Sequence, residues 1–334
     1  MRLGFAVRIL GQPGLKSHDS RRWQNEPHLS VSLACVRDIL LYLQRQRIDL
    51  YRLSADLAPY ATHPDMPQFH AQIDECAAEL ALVGQLARQA AVRLSFHAPA
   101  AAVLNAPDET TAARAAAHLN SLARILDELG QGPEAVVVGH VGGGYGDHTA
   151  ARSRFVERYH TLPAGARRRL ALEHDDNRFS VADIAWIHDH TGVPLVYDHL
   201  HHRCHNPEGL DDVEALRLCL LSWPDAVRPK VHFASPRTAM RIVEQQHAAS
   251  GRRVRFFHPP QPAEHADFIH PFEFIAFLRR ARAAQLPGFD IMLEARAKDL
   301  ALLHLRQQLA RFAPDLQQSL KGDPNVSNQE LLYP

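Results

Sequence analysis

Eight short apolar runs, each three to five residues long with little polar alternation, set the tightest limit on what this chain can fold into. They occupy residues 3–7, 49–53, 92–96, 135–139, 170–172, 194–197, 230–233 and 290–293. A strand that buries one face alternates polar with apolar residues, whereas a strand buried on both faces reads as a continuous apolar run. Such runs belong to a parallel sheet covered by helices, and amphipathic segments lie between them. Residues 30–47 place Val31, Ala34, Cys35, Ile39 and Tyr42 at helical spacing, and 69–91, 109–130, 181–191, 211–221 and 271–285 behave similarly. Ser180 stands where an N-cap is needed, and Gly130 where a helix ends. Strand then helix, repeated eight times, predicts an α/β fold with a single (β/α)8 TIM barrel. An open doubly wound sheet is the alternative.

The 334 residues are expected to form one barrel domain over 1–312, followed by a flexible C-terminal tail over 313–334. Between the seventh and eighth strands the connection from 233 to 290 is far longer than a usual βα unit and carries Pro259, Pro260 and Pro262. It is expected to make an excursion over the barrel mouth. No run approaches the roughly 18 apolar residues of a membrane span, and MRLGFAVRIL reads as a first strand, not an export signal. Four scattered cysteines, Cys35, Cys76, Cys204 and Cys219, fit no disulfide framework and predict a reducing cytoplasm. With 37 basic and 37 acidic residues, net charge neither demands nor forbids nucleic acid.

Histidine is the outlier, with 22 residues. The third run ends in His97, the fourth in His140, the fifth in Glu173 and the sixth in Asp198; the seventh contains His232, and the eighth ends in Glu294. Parallel barrel strands aim their C-terminal ends at one face, where barrel enzymes place their chemistry. These residues should therefore converge. His201, three residues beyond Asp198, is placed on the same rim, and His265 in the excursion is placed to reach back over it. One tetrahedral ion uses three or four protein ligands. Eight predict two or three ions with bridging carboxylates, about 3.5–4 Å apart. Mixed nitrogen and oxygen donors without thiolate favour manganese, with zinc or magnesium as alternatives.

Weaker features are read both ways. Gly142, Gly143 and Gly144 make either a backbone nest for a phosphate or a plain tight turn. His199, His202 and His205 are expected at the rim or in solvent, and Arg167, Arg168 and Arg169 as a solvated patch at the opposite end. Asp175, Asp176 and Asn177 are either partners that orient imidazoles or simply loop.

As an ordered set, several segments are specific: RLGF at 2–5, YRLS at 51–54, ATHP ending at Pro64, RLSFH ending at His97 and VLN at 103–105. VVVGHVGGGYGD, LALEHD, GVPLVYDHLHH, RPKVHFAS, EHADFI and IMLEARAK continue the series. The chain resembles the UV damage endonuclease family, metal-dependent barrels related in architecture to endonuclease IV. The resemblance implies that His97, His140 and Glu173 hold one metal. Glu173, Asp198, His232 and Glu294 would hold a second, with His201 and His265 directed to a third. Lys230 matches a lysine near the metals that is carboxylated in some members, and His63 a histidine near the scissile phosphate. Glu173, Lys230 and His63 are thus the expected catalytic residues, with Phe5, Tyr145, Ala100 and Ala101 at positions facing the substrate.

The implied reaction is hydrolysis of the phosphodiester 5′ of a damaged nucleotide in double-stranded DNA. Three departures bear on the lesion. Ala100 and Ala101 stand where the family has Gln followed by Tyr or Phe, Phe5 where it has Tyr, and His174 where it has Asn. Alanine can neither wedge a base stack nor fill the gap left by flipped bases, so an altered lesion preference is expected. A monomer is the expected state. Two other readings compete: a metal-dependent sugar isomerase or epimerase barrel, and a non-catalytic damage- or metal-binding homologue.

Overall fold

A computed structural model describes residues 1–246 and 251–320. Twelve strands are present among the described residues. Seven follow one another as β1 (Leu3–Ala6), β2 (Leu50–Arg52), β3 (Arg93–His97), β4 (Val137–His140), β5 (Leu170–Glu173), β6 (Leu195–Val196) and β7 (Lys230–Phe233). The excursion adds β8 (Pro236–Arg237), β9 (Arg241–Gln246), β10 (Arg253–His258) and β11 (Gln261–His265) before β12 (Asp290–Leu293). The helices begin with α1 (Leu29–Arg45), α2 (Gln72–Glu75), α3 (Ala77–Gln89), α4 (Glu109–Glu128), α5 (His148–Thr161) and α6 (Ala164–Arg169). They continue with α7 (Val181–Thr191), α8 (His199–Cys204), α9 (Asp212–Leu221), α10 (Pro271–Ala283), α11 (Lys298–Phe312) and α12 (Pro314–Gln317).

Eight strands form one parallel sheet in the order β6-β5-β4-β3-β2-β1-β12-β7. The ring closes between β6 and β7 through a single parallel bridge, Asp198 to His232, with the His232 amide donating to the Tyr197 carbonyl at 2.8 Å. The predicted eight-stranded barrel is therefore present, and each predicted run overlaps one of its strands. Strand residues that face outward, such as Phe5, Tyr51 and Phe233, pack with helix residues such as Leu33, Leu122 and Ile184 into one large core. Ala6, Leu50 and Met292 form a small separate cluster. At Gly4 a Cβ would run into Leu50, so only glycine lets β1 lie this close to β2.

Helix ends follow their caps. Ser180 and Asp183 form a reciprocal capping box at the start of α7, and Gly192 closes it at φ +71°. Gly130, at φ +59°, follows α4 as expected. Helix α5 escapes the sequence pattern because its buried residues are only Ala151, Phe155 and Tyr159, a stripe too thin to stand out.

Residues 313–320, assigned above to the tail, instead form α12 and a turn, with Ala313, Leu316 and Leu320 in the core. Pro314 starts a new helical turn there, and apolar spacing continues past it. Residues 321–334 lie outside the described residues. Among the described residues no helix is long and apolar enough to cross a membrane.

Candidate metal centre

Barrel register brings the strand-end ligands together. His140 pairs with Glu173 across β4 and β5, Met292 with His232 across β12 and β7, and Asp198 bridges His232 at the seam. Glu173 sits at the middle. Its Oε2 lies 3.0 Å from His97 Nε2 and 3.7 Å from His140 Nε2; its Oε1 lies 2.9 Å from His232 Nδ1 and 3.4 Å from His201 Nδ1. Glu294 faces His232 Nδ1 at 3.4 Å through Oε1 and His265 Nδ1 at 3.7 Å through Oε2. All eight residues singled out as ligands thus gather at one end of the barrel, including His265 from the excursion strand β11.

Three overlapping groups have ligand atoms within 4.8 Å of one another: His97, Glu173 and His232; Glu173, Asp198 and His201; and Asp198, His232 and Glu294. Each pair of groups shares one residue. Backbone carbonyls fix several imidazoles in a useful tautomer. His97 donates Nδ1–H to the Ala98 carbonyl at 2.8 Å, His140 to Glu173 at 3.2 Å and His201 to His174 at 3.1 Å. With Nδ1–H engaged in this way, Nε2 is the nitrogen left to ligate a metal, and at His97 it would first give up the proton it shares with Glu173 Oε2 at 3.0 Å.

The centre is dense in ionisable groups that lean on one another. Burial works against ionising Glu173, but the imidazoles of His232 and His140 and hydrogen bonds from His232 and His97 outweigh it and hold its pKa well below the usual carboxylate range. Burial also opposes Glu294, which Arg52 and His232 nevertheless keep ionised. At His201, burial pulls the pKa down while Asp198, Glu173 and Glu294 more than reverse it, to about 9. A proton there occupies a place that a cation would compete for. Divalent cations fit this donor set. Asp198 Oδ2 and His232 Nε2 are buried with no hydrogen-bond partner, a costly condition unless something binds them.

Lys230 is fully buried on the same strand face as His232, and its Nζ has no hydrogen-bond partner. Burial, then Arg93 and Arg52, push its pKa well below that of an ordinary lysine, against the pull of Glu173 and Glu294. His63 does not join the cluster through any hydrogen bond or ion pair among the described residues. It lines a neighbouring cleft of about 690 Å³ with Arg21, Tyr60, Ala101, Arg114 and His118. Ala100 and Ala101 are exposed in the turn after β3. Tyr145 is exposed in the loop after β4, with the Arg154 guanidinium 5.6 Å from its ring centre. Phe5 departs from expectation as a substrate contact: it is wholly buried, edge-on to Tyr51 at 5.4 Å, because its side of β1 faces the helices.

Other expectations also change. His199 and His202 are buried, not solvated; His199 stacks on Phe233 at 4.8 Å, and His202 donates Nε2–H to the Leu210 carbonyl. Arg169 is buried too, bonded to Asp127 and to the carbonyls of Gly132 and Ala135. The glycine loop is pinned by Asn105, which accepts from Gly143 N–H at 3.2 Å and donates to the Gly143 carbonyl at 2.8 Å. That amide is thereby spent on the loop itself, which favours the turn over a phosphate nest. Two supporting roles escaped the sequence reading. Arg52 pairs with Glu294, and His174 accepts the Asp198 amide at 3.0 Å through Nε2. Both lie in segments already noted, YRLS and LALEHD, but nothing in their spacing marks them as supports.

Residues 18–321 match the family model described as UV-endonuclease UvdE. The chain belongs to the UV-endonuclease UvdE family. It is accordingly an endonuclease. The UV DNA damage endonuclease of Bacillus velezensis is 30% identical to this UvdE-family chain over 298 residues, covering 87% of it and 85% of the relative. That of Bacillus cereus strain B4264 is 31% identical over 279 residues, covering 81% and 78%. Among solved structures, SacUVDE superposes on the UvdE-family chain with a TM-score of 0.76 at 27% identity, covering 93% of it and 98% of SacUVDE. A D-psicose 3-epimerase from Clostridium cellulolyticum H10 shares the barrel, with a TM-score of 0.54 at 12% identity, covering 97% and 100%.

Proposed function

We propose that this protein is a metal-dependent DNA repair endonuclease that hydrolyses the phosphodiester 5′ of a damaged nucleotide in duplex DNA. One observation carries the reading: three candidate ligand groups interlock by sharing Glu173, Asp198 and His232. That connectivity suits two or three ions held by His97, His140, Glu173, Asp198, His201, His232, His265 and Glu294, with manganese favoured by the mixed nitrogen and oxygen donors. When bound, such ions supply a Lewis acid that lowers the pKa of water and screens charge on the scissile phosphate.

The protein's own groups do the rest. Glu173, facing imidazoles on both oxygens, is the shared ligand on which the whole arrangement turns. The carbonyls of Ala98, Glu173 and His174 orient His97, His140 and His201 before substrate arrives, so little reorganisation is left for the reaction. Arg52 holds Glu294 in place. Lys230, an amine depressed by burial, is assigned to hold or pass a proton beside Glu173 and Glu294. His63, on the wall of the adjacent cleft, is assigned to the phosphate. Tyr145, Ala100 and Ala101 are assigned to the DNA strand outside the centre, with lesion preference altered by the methyl side chains at the last two. The barrel works as one hydrolase domain in a monomeric, cytoplasmic protein.

Elemental analysis after purification in manganese, followed by nicking of duplexes carrying a UV photoproduct or an abasic site, tests the proposal. The expected result is at least two ions per chain and a single nick immediately 5′ of one of those lesions. Stoichiometric metal with no nick in either duplex would sink it.

A further inference from the structure

The excursion between β7 and β12 carries a two-stranded hairpin that the proposed mechanism does not use. Strands β9 and β10 pair in register from Arg241–His258 to Gln246–Arg253 and belong to no larger sheet. Residues paired directly across such a ribbon share a face. One face therefore carries Ile242 with Phe257, Glu244 with Arg255, and Gln246 with Arg253. All six are exposed, Phe257 at 65% and Ile242 at 60%. Arg252, Met240 and Phe256 are exposed beside them. Over residues 241–258 the sequence has four arginines against one glutamate, in a chain whose net charge is zero.

The ribbon is aimed from its root. Arg237 is buried, and its guanidinium pairs with Glu264 at 2.6 Å while donating to the carbonyls of Ala239 at 2.7 Å and Pro259 at 2.8 Å. One side chain thus ties the outgoing strand, the returning strand and the base together. The root lies at the metal centre itself: Pro236 pairs with His265, and His265 Nδ1 is 3.7 Å from Glu294 Oε2. Phe257 precedes His265 by eight residues, which at about 3.3 Å per residue keeps it within roughly 27 Å of the centre. A DNA strand seated at the centre would have its flanking helical turn inside that reach.

From this juxtaposition we infer that the hairpin is a duplex-gripping arm. Arg252 and Arg253 neutralise backbone phosphates beside the scissile bond, joined by Arg255 once it exchanges its 3.0 Å pair with Glu244 for a phosphate, and the Phe257–Ile242 pair packs against the groove wall. A two-stranded ribbon is of a size that DNA grooves admit, and apolar side chains on such elements contact bases or sugars. A bare two-stranded hairpin has little reason to display a phenylalanine and an isoleucine to water unless something covers them. Positive charge beside the apolar pair selects a polyanion as that cover.

The inference rests on the DNA endonuclease reading and is tested separately from it. Binding of an undamaged 30-base-pair duplex is followed by fluorescence anisotropy across a potassium chloride series, using the full chain in manganese. Replacing both Arg253→Ala and Arg255→Ala is expected to reduce the slope of log K against log salt by about 1 to 2, the lower figure if Arg255 stays with Glu244, and to weaken binding on the order of tenfold. Phe257→Ala is expected to weaken binding severalfold with the slope unchanged. Arg37→Ala, which removes a charge from the exposed face of α1, is expected to leave both quantities alone. Equal affinity and slope for the double variant and the parent would overturn the arm, as would an equal loss in Arg37→Ala. So would capture of the parent, but not the double variant, by phosphatidylserine vesicles with the duplex titration unmoved. If the hairpin variants lose duplex binding while the parent nicks no damaged strand, the arm stands and the endonuclease reading falls.

Discussion

Both ends of the barrel bury charged side chains, and they treat them in opposite ways. At the N-terminal end Asp290 is fully buried and accepts from the Arg2 amide at 2.8 Å and from Arg93 Nη1 at 3.1 Å, with Arg2 Nη1 at 3.2 Å. Arg93 also donates to the carbonyls of Glu134 and Arg228, and its guanidinium lies 5.8 Å from the Trp223 ring centre. Arginines surround Asp290 there, and the network joins β1, β3 and β12 into a closed floor. At the C-terminal end three carboxylates, Glu173, Asp198 and Glu294, are ringed by five imidazoles, and atoms of Asp198 and His232 lack partners. The same residue types make a structural plug at one end and a binding centre at the other. The difference is the kind of counter-charge: permanent guanidinium at the floor, and mostly imidazole that can give up its proton to a metal at the rim.

Substitutions at the two ends should therefore fail differently. The largest effect is expected at Glu173→Gln. Removing the shared carboxylate should lower nicking by at least about a thousandfold, the scale seen when a central electrostatic group is lost, and reduce bound metal in elemental analysis. The melting temperature of the metal-free protein should fall only modestly, because glutamine keeps an oxygen to accept from His97 and His232 while losing the charge those imidazoles stabilise. A melting temperature that collapses along with activity would make the rim as structural as the floor and erase the contrast.

Asp290→Ala tests the other end. It strands Arg93 in a buried site and should cost about 3–5 kcal/mol of stability, read from denaturant midpoints. Metal content at low temperature should stay near that of the parent. Retention of full stability would mean that the floor network is dispensable.

The smallest effect sharpens the boundary within the rim itself. His199 is two residues from His201 on α8, yet burial drops its pKa to about 4, against the weaker pull of Asp212 and Asp198. A histidine whose folded pKa lies below its ordinary 6.5 favours folding fully above pH 6.5, and that contribution fades as pH falls toward 4. The size is on the order of 3 kcal/mol. Melting temperatures of parent and His199→Gln between pH 7 and 4.5 should show a shallower acid decline in the variant. An identical decline in both would place His199 with the binding histidines instead of the packing ones.

Much of this contrast was legible in the sequence, and the reason is the period of the fold. Parallel strands buried on both faces read as apolar runs, so a ligand-type residue at the end of a run is located in space as soon as the barrel is recognised. His97, His140, Glu173 and Glu294 were found that way. What single residues do off that axis was harder to see. Phe5, on a strand, could face either the barrel interior or the helices, and one residue of register decides which. His199, His202 and Arg169 look solvated by composition, but short helices and a sealed barrel end buried them. The floor network went unread because Arg93 and Asp290 stand at the starts of strands, where the sequence gives charge no distinctive spacing.

The seam between β6 and β7 has a mechanical consequence. Strand β6 spans two residues, and the ring is completed there by one bridge between Asp198 and His232. Everywhere else a fuller ladder resists separation, so this is where the wall should breathe first, and amides near Tyr197 and His232 should exchange with solvent ahead of those in β1 or β12. Whatever ligates Asp198 and His232 together would act as a rivet through the weakest joint of the cylinder.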